Sequence, residues 1–526
     1  DSITSSLASD LALAAPSEPI ETRSPAALRL YEDGLRALYQ YDTFAAARNF
    51  GAAIAEDSTF ALAAYYGWWS AALIGDASAS RLQALALRLA DRAPARERLL
   101  IRTHVGSSEG DPASVAAAES LLARYPRDPE ALIRASQTLS VAGRSLERIT
   151  PLLERAIAID SAATGGRTGP CRLCESFAEL AEAFERADSI RAVLATLDRW
   201  AALVPEDPRA STHLAAYALR IGREDLWRRA TERQGRAGRQ PVDSIEGLLR
   251  RGAYLADVRA MERGCAAAFA IEDDRGWSRY RRDCATALRM MGRFRAAAAM
   301  VSEGRAPTGG ARRSGAPRDP FQMAVLDLEM SRPLLAADYF VRAAGAAADS
   351  SPVSRAWLLT LAAVAAVEAA DTVMAGRLAD SIGATAARDG GSDQLQQFVR
   401  GLLDASRGDH VAALDRFRSA VSSWPLGFTR VNYEIAASAL ALGRPTEAIY
   451  PLQAALRGRI DGPHLLLNRA LIHERLAQAF DAAGQTDSAA YHYGRVARLW
   501  QGADPVLTER YETARRWLTQ RGRPVP

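Results

Sequence analysis

The chain has 526 residues, with 66 basic against 62 acidic side chains and a formal charge of +4. All 66 basic residues are arginine, which excludes chemistry that needs a lysine: the P-loop, the protein-kinase strand lysine and the pyridoxal Schiff base. At 48% hydrophobic and 24% charged, the composition is that of ordinary globular protein, too long for one core and too nearly neutral for a nucleic-acid binder.

Residues 1–23 are rich in Ser, Ala and Pro and read as an extended N-terminal arm. A helical array is expected over residues 24–303. Its opening unit carries Gly34, Ala46, Phe50 and Ala53, with Ser58 closing it. Tyr65, Tyr66, Trp68 and Trp69 then form the densest aromatic cluster, consecutive enough to face several sides of one helix. Its inward members read as core, and the rest as candidates for lining a groove that anchors a partner.

Gly106-Ser107-Ser108-Glu109-Gly110 matches a hydrolase nucleophile elbow in letters alone. That motif needs a strand entering the turn; here a helical stretch from Pro94 to His104 precedes it, so it reads as a helix–helix loop.

Repetition is explicit. Ala53 to Ser58 (Ala-Ile-Ala-Glu-Asp-Ser) returns as Ala156 to Ser161 (Ala-Ile-Ala-Ile-Asp-Ser), at an offset of 156 − 53 = 103. This is about three periods of a 34-residue helical hairpin. Tyr125-Pro126-Arg127-Asp128-Pro129 returns as Val204-Pro205-Glu206-Asp207-Pro208 at an offset of 79, and Gly143-Arg144 returns as Gly222-Arg223 at the same 222 − 143 = 79. Further glycines at 292, 408, 443 and 484 each follow one apolar-periodic stretch and precede another, as residues that cap a helix and turn the chain into the next.

Of the four cysteines, Cys171 and Cys174 form Cys-x-x-Cys, and Cys265 and Cys284 flank a turn expected near Asp273-Asp274. No βαβ context supports a thioredoxin-like role, Glu175 stands where haem attachment needs histidine, and the wide second spacing does not suit a four-cysteine zinc site. Local disulfides, Cys171–Cys174 and Cys265–Cys284, are the expectation, and with them an oxidising, exported location. The alternative is four buried thiols in a cytoplasmic protein. The six histidines show no metal-ligand spacing. No cofactor, metal or catalytic constellation is expected.

Two basic stretches mark the middle of the chain: Arg228, Arg229, Arg233, Arg236 and Arg239, then Arg279, Arg281 and Arg282 among others. They read as a salt-laced solvated face or as a docking surface for an acidic partner. Residues 304–320, rich in Gly, Pro and Arg, read as a flexible linker and domain boundary, with a new helix beginning after Asp319-Pro320. A second array is expected over 321–526. The longest apolar stretch, Ala356 to Val367, is broken by Thr360 and ended by Glu368, short of the ~18–20 residues that span a bilayer.

The clearest unit of this second array runs from about Gln394 to Pro425, with Gly401 in its first helix, Gly408 at the turn, and Ala413, Phe417 and Ala420 in its second. Another, from Arg469, carries Ala477, Phe480, Ala489 and Tyr493. With the opening unit, these residues resemble the tetratricopeptide repeat, in which small residues let two helices approach and an aromatic fills the next groove. The opening, Ser24 to Tyr66, is similar to repeat regions of large bacterial regulators.

The resemblance implies an all-α solenoid of roughly a dozen hairpins in two arrays, with a concave surface for protein partners. The expected role is a non-catalytic interaction scaffold that docks on and stabilises a bacterial membrane complex as an extrinsic, periplasmic subunit. The start at Asp1, without methionine, fits a removed signal peptide and equally a trimmed chain. The alternatives are a sensor region detached from a kinase or transcription regulator, and a peptide or small-ligand receptor.

Overall fold

The structure is a computed structural model. It describes residues 22–40, 42–74, 76, 78–109, 111–164, 172–205, 207–236, 244–271, 274–303, 319–346, 352–389, 393–460 and 467–526. The N-terminal arm up to residue 21 and residues 304–318 of the expected linker therefore lie outside the described residues. All described regular structure is helical, and the chain divides into two compact units, 1–210 and 211–526.

The first unit holds five hairpins: α1 (Pro25–Tyr39) with α2 (Thr43–Glu56), α3 (Ala61–Ile74) with α4 (Ala79–Ala90), α5 (Ala95–Glu109) with α6 (Ala113–Arg124), α7 (Pro129–Val141) with α8 (Leu146–Thr164), and α9 (Arg172–Arg186) with α10 (Ile190–Leu203). The repeated Asp-Pro pairs begin helices as their chemistry requires. Asp128 Oδ1 accepts from the amides of Glu130 and Ala131 at 2.9 and 3.3 Å, while Pro129, which lacks an N–H, occupies the first turn. Ser24 and Pro25 start α1 in the same way. The Gly106–Glu109 segment is no loop: α5 runs through it to Glu109, with Ser108 Oγ donating to the Val105 carbonyl at 2.7 Å.

Packing within a hairpin follows the small-residue rule. A Cβ added to Gly34 would lie 2.6 Å from Phe50 Cε1, and one added to Gly401 would lie 2.6 Å from Phe417 Cε1. The same glycine–phenylalanine contact recurs in units far apart in sequence, as the repeat reading requires. The six turn glycines, 143, 222, 292, 408, 443 and 484, all have φ between 68° and 82°, the left-handed region where a Cβ is penalised. Asp188, Ala256, Ser331 and Ala370 take the same conformation, with φ of 54° to 60°. They are turns of degenerate repeats, which a search for glycine passes over.

The second unit comprises α11 (Pro208–Arg220), α12 (Glu224–Arg236), α13 (Ile245–Leu255), α14 (Val258–Phe269), α15 (Asp274–Met290) and α16 (Phe294–Glu303) before the undescribed stretch. After it come α17 (Pro320–Glu329), α18 (Pro333–Ala346), α19 (Pro352–Glu368), α20 (Thr372–Asp389), α21 (Gln394–Ser406), α22 (His410–Ser419), α23 (Thr429–Ala441), α24 (Pro445–Arg457), α25 (Arg469–Ala482), α26 (Thr486–Leu499) and α27 (Thr508–Gln520). Asp319 caps α17, accepting from the Gln322 amide, so a helix does begin where Asp319-Pro320 indicated.

Most of the expected boundary at 304–320 lies outside the described residues. Helices on its two sides share a core, because the buried Arg289 of α15 donates to both carboxylate oxygens of Glu329 on α17 at 2.7 and 3.0 Å. Composition marked a break in pattern there, but compactness puts the division at 210/211.

The second unit closes on itself. Its last hairpins return to pack on its first. One continuous core joins Leu249, Met261, Leu288 and Phe294 to Leu452, Leu476, Trp500 and Trp517. Polar seams close it: Asn468 Nδ2 donates to the Arg289 carbonyl at 2.6 Å, the Asp504 amide to the Gly292 carbonyl at 2.9 Å, and Arg220 Nε to the Arg457 carbonyl at 2.7 Å. At Gly292 the two ends come so close that an added Cβ would lie 2.5 Å from Leu507 Cδ1.

Candidate docking face and its polar network

In the first unit α3, α5, α7 and α9 touch in succession, forming a layer of first helices with their partners behind. α3 is buried on nearly every side, from Ala61 to Ala71. This explains a run of aromatic residues with no amphipathic period. Tyr65, Tyr66 and Trp68 are core residues, at 0, 3 and 6% exposure, and Trp69 is half-buried.

Their polar atoms found a network with no signature in the sequence. Tyr66 donates to Glu130 of α7. Tyr65 Oη lies 2.7 Å from His104 Nδ1 on α5. Burial and the nearby Arg134 hold that imidazole well below its ordinary pKa, and burial raises the phenol's, so a neutral phenol meets a neutral ring. Arg96 on α5 reaches α7 through Asp128 at 2.5 Å and Glu130 at 3.1 Å.

Arg134 on α7, fully buried, carries the network on to α9. It donates to both oxygens of Glu175 at 2.5 and 3.1 Å and lies 4.2 Å over the Trp69 ring. Gln137 accepts from Arg134 at 2.9 Å and donates to Glu179 at 2.8 Å. Burial, with Glu182 nearby, pushes the Glu179 carboxyl up to about 7. A buried guanidinium is tolerable only with such a bidentate partner. The arrangement fixes the spacing of four successive helices and leaves Trp69, Gln137, Glu175 and Glu179 half-buried along it.

The basic candidates fare unevenly. Arg228 and Arg229 are exposed and paired within α12, to Glu224 at 2.9 Å and Asp225 at 3.1 Å. Arg233 is exposed, Arg281 is half-buried, and exposed Arg282 lies 3.7 Å from Asp319. Arg239 lies outside the described residues, as do the side chains of Arg236 and Arg279. The acidic first turn of α12 cancels much of the charge that a count of arginines implies.

The expected Cys265–Cys284 bridge is corrected. Cys265 and Cys284 are both buried and face one another across α14 and α15, as the hairpin spacing requires, but they are free thiols. The neighbouring Cys265 sulfur and burial push the Cys284 thiol far up, so it is protonated. Cys174 is disulfide-bonded, and its expected partner Cys171 lies outside the described residues. Among the described residues no group of three or more His, Cys, Asp or Glu side chains is placed to hold a metal ion.

The histidines contain one pairing missed in the sequence. His473 and His492 sit 19 residues apart on α25 and α26, buried, with their Nδ1 atoms 2.9 Å apart, and Phe480 stacks on the second ring. Their positions in the two helices of one hairpin were the only available signal.

The hairpin, its turn and its glycine–aromatic contact define the class: the chain is built of tetratricopeptide-like helical repeats. No protein-family model matches it. Over 125 residues, 23% of this chain and 72% of the relative, the chain is 29% identical to the photosystem I assembly protein Ycf3 of Synechococcus elongatus. The same figures hold for Ycf3 of a second Synechococcus strain. Among solved structures, the chain is similar to the APC/C hetero-tetramer Cut9–Hcn1, at 13% identity and a TM-score of 0.29 over 98% of this chain and 99% of that one. Yeast Tom70 is similar at 11% identity and a TM-score of 0.28, over 94% and 96%.

Proposed function

We propose that the protein is a non-catalytic scaffold that docks protein partners and serves the assembly or stability of a membrane complex. The carrying observation is the layer from α3 to α9, whose spacing is locked by Arg96, Arg134, Glu130 and Glu175. A rigid face of this kind binds without first having to order itself, and preorganisation lowers the entropic cost of association. The resemblance to a protein named for assembly, over 23% of the chain, supports the same reading.

An acidic partner suits exposed Arg233, and also Arg228 and Arg229. Exposed pairs such as theirs contribute only about 0–1 kcal/mol, so exchanging an internal carboxylate for a partner's costs little. No described helix is long and apolar enough to cross a membrane, so association with one would run through partners. A place in an oxidising compartment draws support from bonded Cys174, and the free thiols at Cys265 and Cys284 weigh against it.

Purification from native membranes at low salt and in mild detergent tests the proposal. Companion proteins should be recovered in fixed stoichiometry and lost in a Trp69→Ala/Glu179→Arg variant that keeps its helical circular dichroism. Recovery solely as a free monomer overturns it.

A further inference from the structure

The second unit holds a cleft of about 820 Å³ where α12–α14 meet α26 and the segment after it. Five arginines line it: Arg251 and Arg259 from one side, Arg293 from the turn before α16, and Arg495 and Arg498 from α26. Three acids oppose them, and all three are occupied. Glu224 and Asp257 flank Arg251 at 3.6 and 3.5 Å, and Glu262 pairs with Arg293 at 2.7 Å. Asp257 also caps α14, accepting from the Ala260 amide at 3.0 Å.

Arg259, Arg495 and Arg498 are left with no carboxylate partner among the described residues. Arg495 is half-buried; its Nη2 donates to the Tyr491 hydroxyl at 2.7 Å, and its Nη1 has no hydrogen-bond partner. A guanidinium withdrawn from water without a counter-charge is costly, and here two exposed arginines converge on the same space. No aromatic side chain lines the cleft, while Leu255 and Val258 supply its apolar wall and Pro526 reaches its rim.

We propose that this cleft binds a small, non-aromatic polyanion bearing phosphate or carboxylate groups, held jointly by Arg259, Arg495 and Arg498. The planar fork of each guanidinium pairs two oxygens at once, which suits both groups. The volume falls within the ~300–1,000 Å³ usual for small-ligand sites. With no ring to stack on a base, recognition rests on charge: a nucleoside triphosphate and inorganic triphosphate should bind alike. The site is independent of the docking face in the first unit.

The test is calorimetric titration of the full chain with inorganic triphosphate and with citrate, at ionic strength held constant with sodium chloride. Saturable one-to-one binding is expected, and the tighter arm identifies phosphate or carboxylate as the preferred group. The Arg259→Ala/Arg498→Ala variant, at two exposed positions, should weaken binding at least tenfold, whereas Arg233→Ala/Arg282→Ala, at exposed positions outside the cleft, should leave it unchanged. Neither anion binding beyond the chloride control would overturn the site, as would equal binding by the cleft variant. Adenosine triphosphate binding more than tenfold tighter than inorganic triphosphate would overturn the non-aromatic assignment.

Discussion

Gly401 and Phe417 show how much one missing methyl group decides. The ring occupies the space where a Cβ would sit, 2.6 Å from its Cε1, so Gly401→Ala forces α21 and α22 apart. The expected cost is about 1–3 kcal/mol, the usual range for overpacking a core, read as a lowered denaturation midpoint. The reverse holds at Ala370, an exposed alanine at φ 60° that closes α19 through the Asp371 amide to the Ala366 carbonyl at 2.8 Å. Glycine there removes the left-handed penalty at the cost of unfolded-state entropy. Ala370→Gly should therefore stabilise by about 0.5–1 kcal/mol in urea titration. Gly401 was legible in the sequence because the repeat ties a small residue to an aromatic at fixed spacing. Ala370 was not, since its conformation comes from a helix end imposed by the neighbouring hairpins and not from its own chemistry.

Among elements, α25 and α26 carry the clearest pH dependence. Burial lowers His473 well below its ordinary value of 6.5, with His492 and the Arg469 and Arg495 charges adding to it. Burial, then Arg495, brings His492 down to about 4. Both folded-state values lie below the unfolded one, so the stability these groups contribute is present above pH 6.5 and is lost as pH falls toward 4. The loss should reach about 3 kcal/mol for His492. A His473→Gln/His492→Gln variant should flatten the stability profile between those limits, and an unchanged slope would refute the assignment. Helices and their capping pairs were readable from Asp-Pro and glycine signals. The network from Tyr66 to Glu179 was not, because it links first helices of different hairpins through side chains whose partners on the other helix lie 32 to 64 residues away.

At the scale of the molecule, the two compact units predict which pieces fold. Residues 321–526 produced alone would expose the face of α23–α27 that covers α13–α16, including Trp500, Ala503 and Leu507 around Gly292. That fragment should aggregate or bind a hydrophobic dye. Co-expression of residues 211–303 with 319–526 should instead give a soluble pair that elutes together, held by the shared core and by Arg289–Glu329. Independent folding of 321–526 as a monomer would contradict the closed second unit. Composition located the change of pattern at 304–320 but could not locate this division, since a linker's chemistry does not report whether its flanks share a core.

Closure also limits how the second unit can change in length. A linear stack accepts an added or deleted hairpin at the expense of one more or one fewer interface, so the first unit can vary its repeat number by small steps. In the second, each additional hairpin would swing Asp504 away from Gly292 and Asn468 away from Arg289. Its repeat count is fixed by the meeting of its ends, and duplication there meets a mechanical barrier that sequence similarity between repeats does nothing to lower.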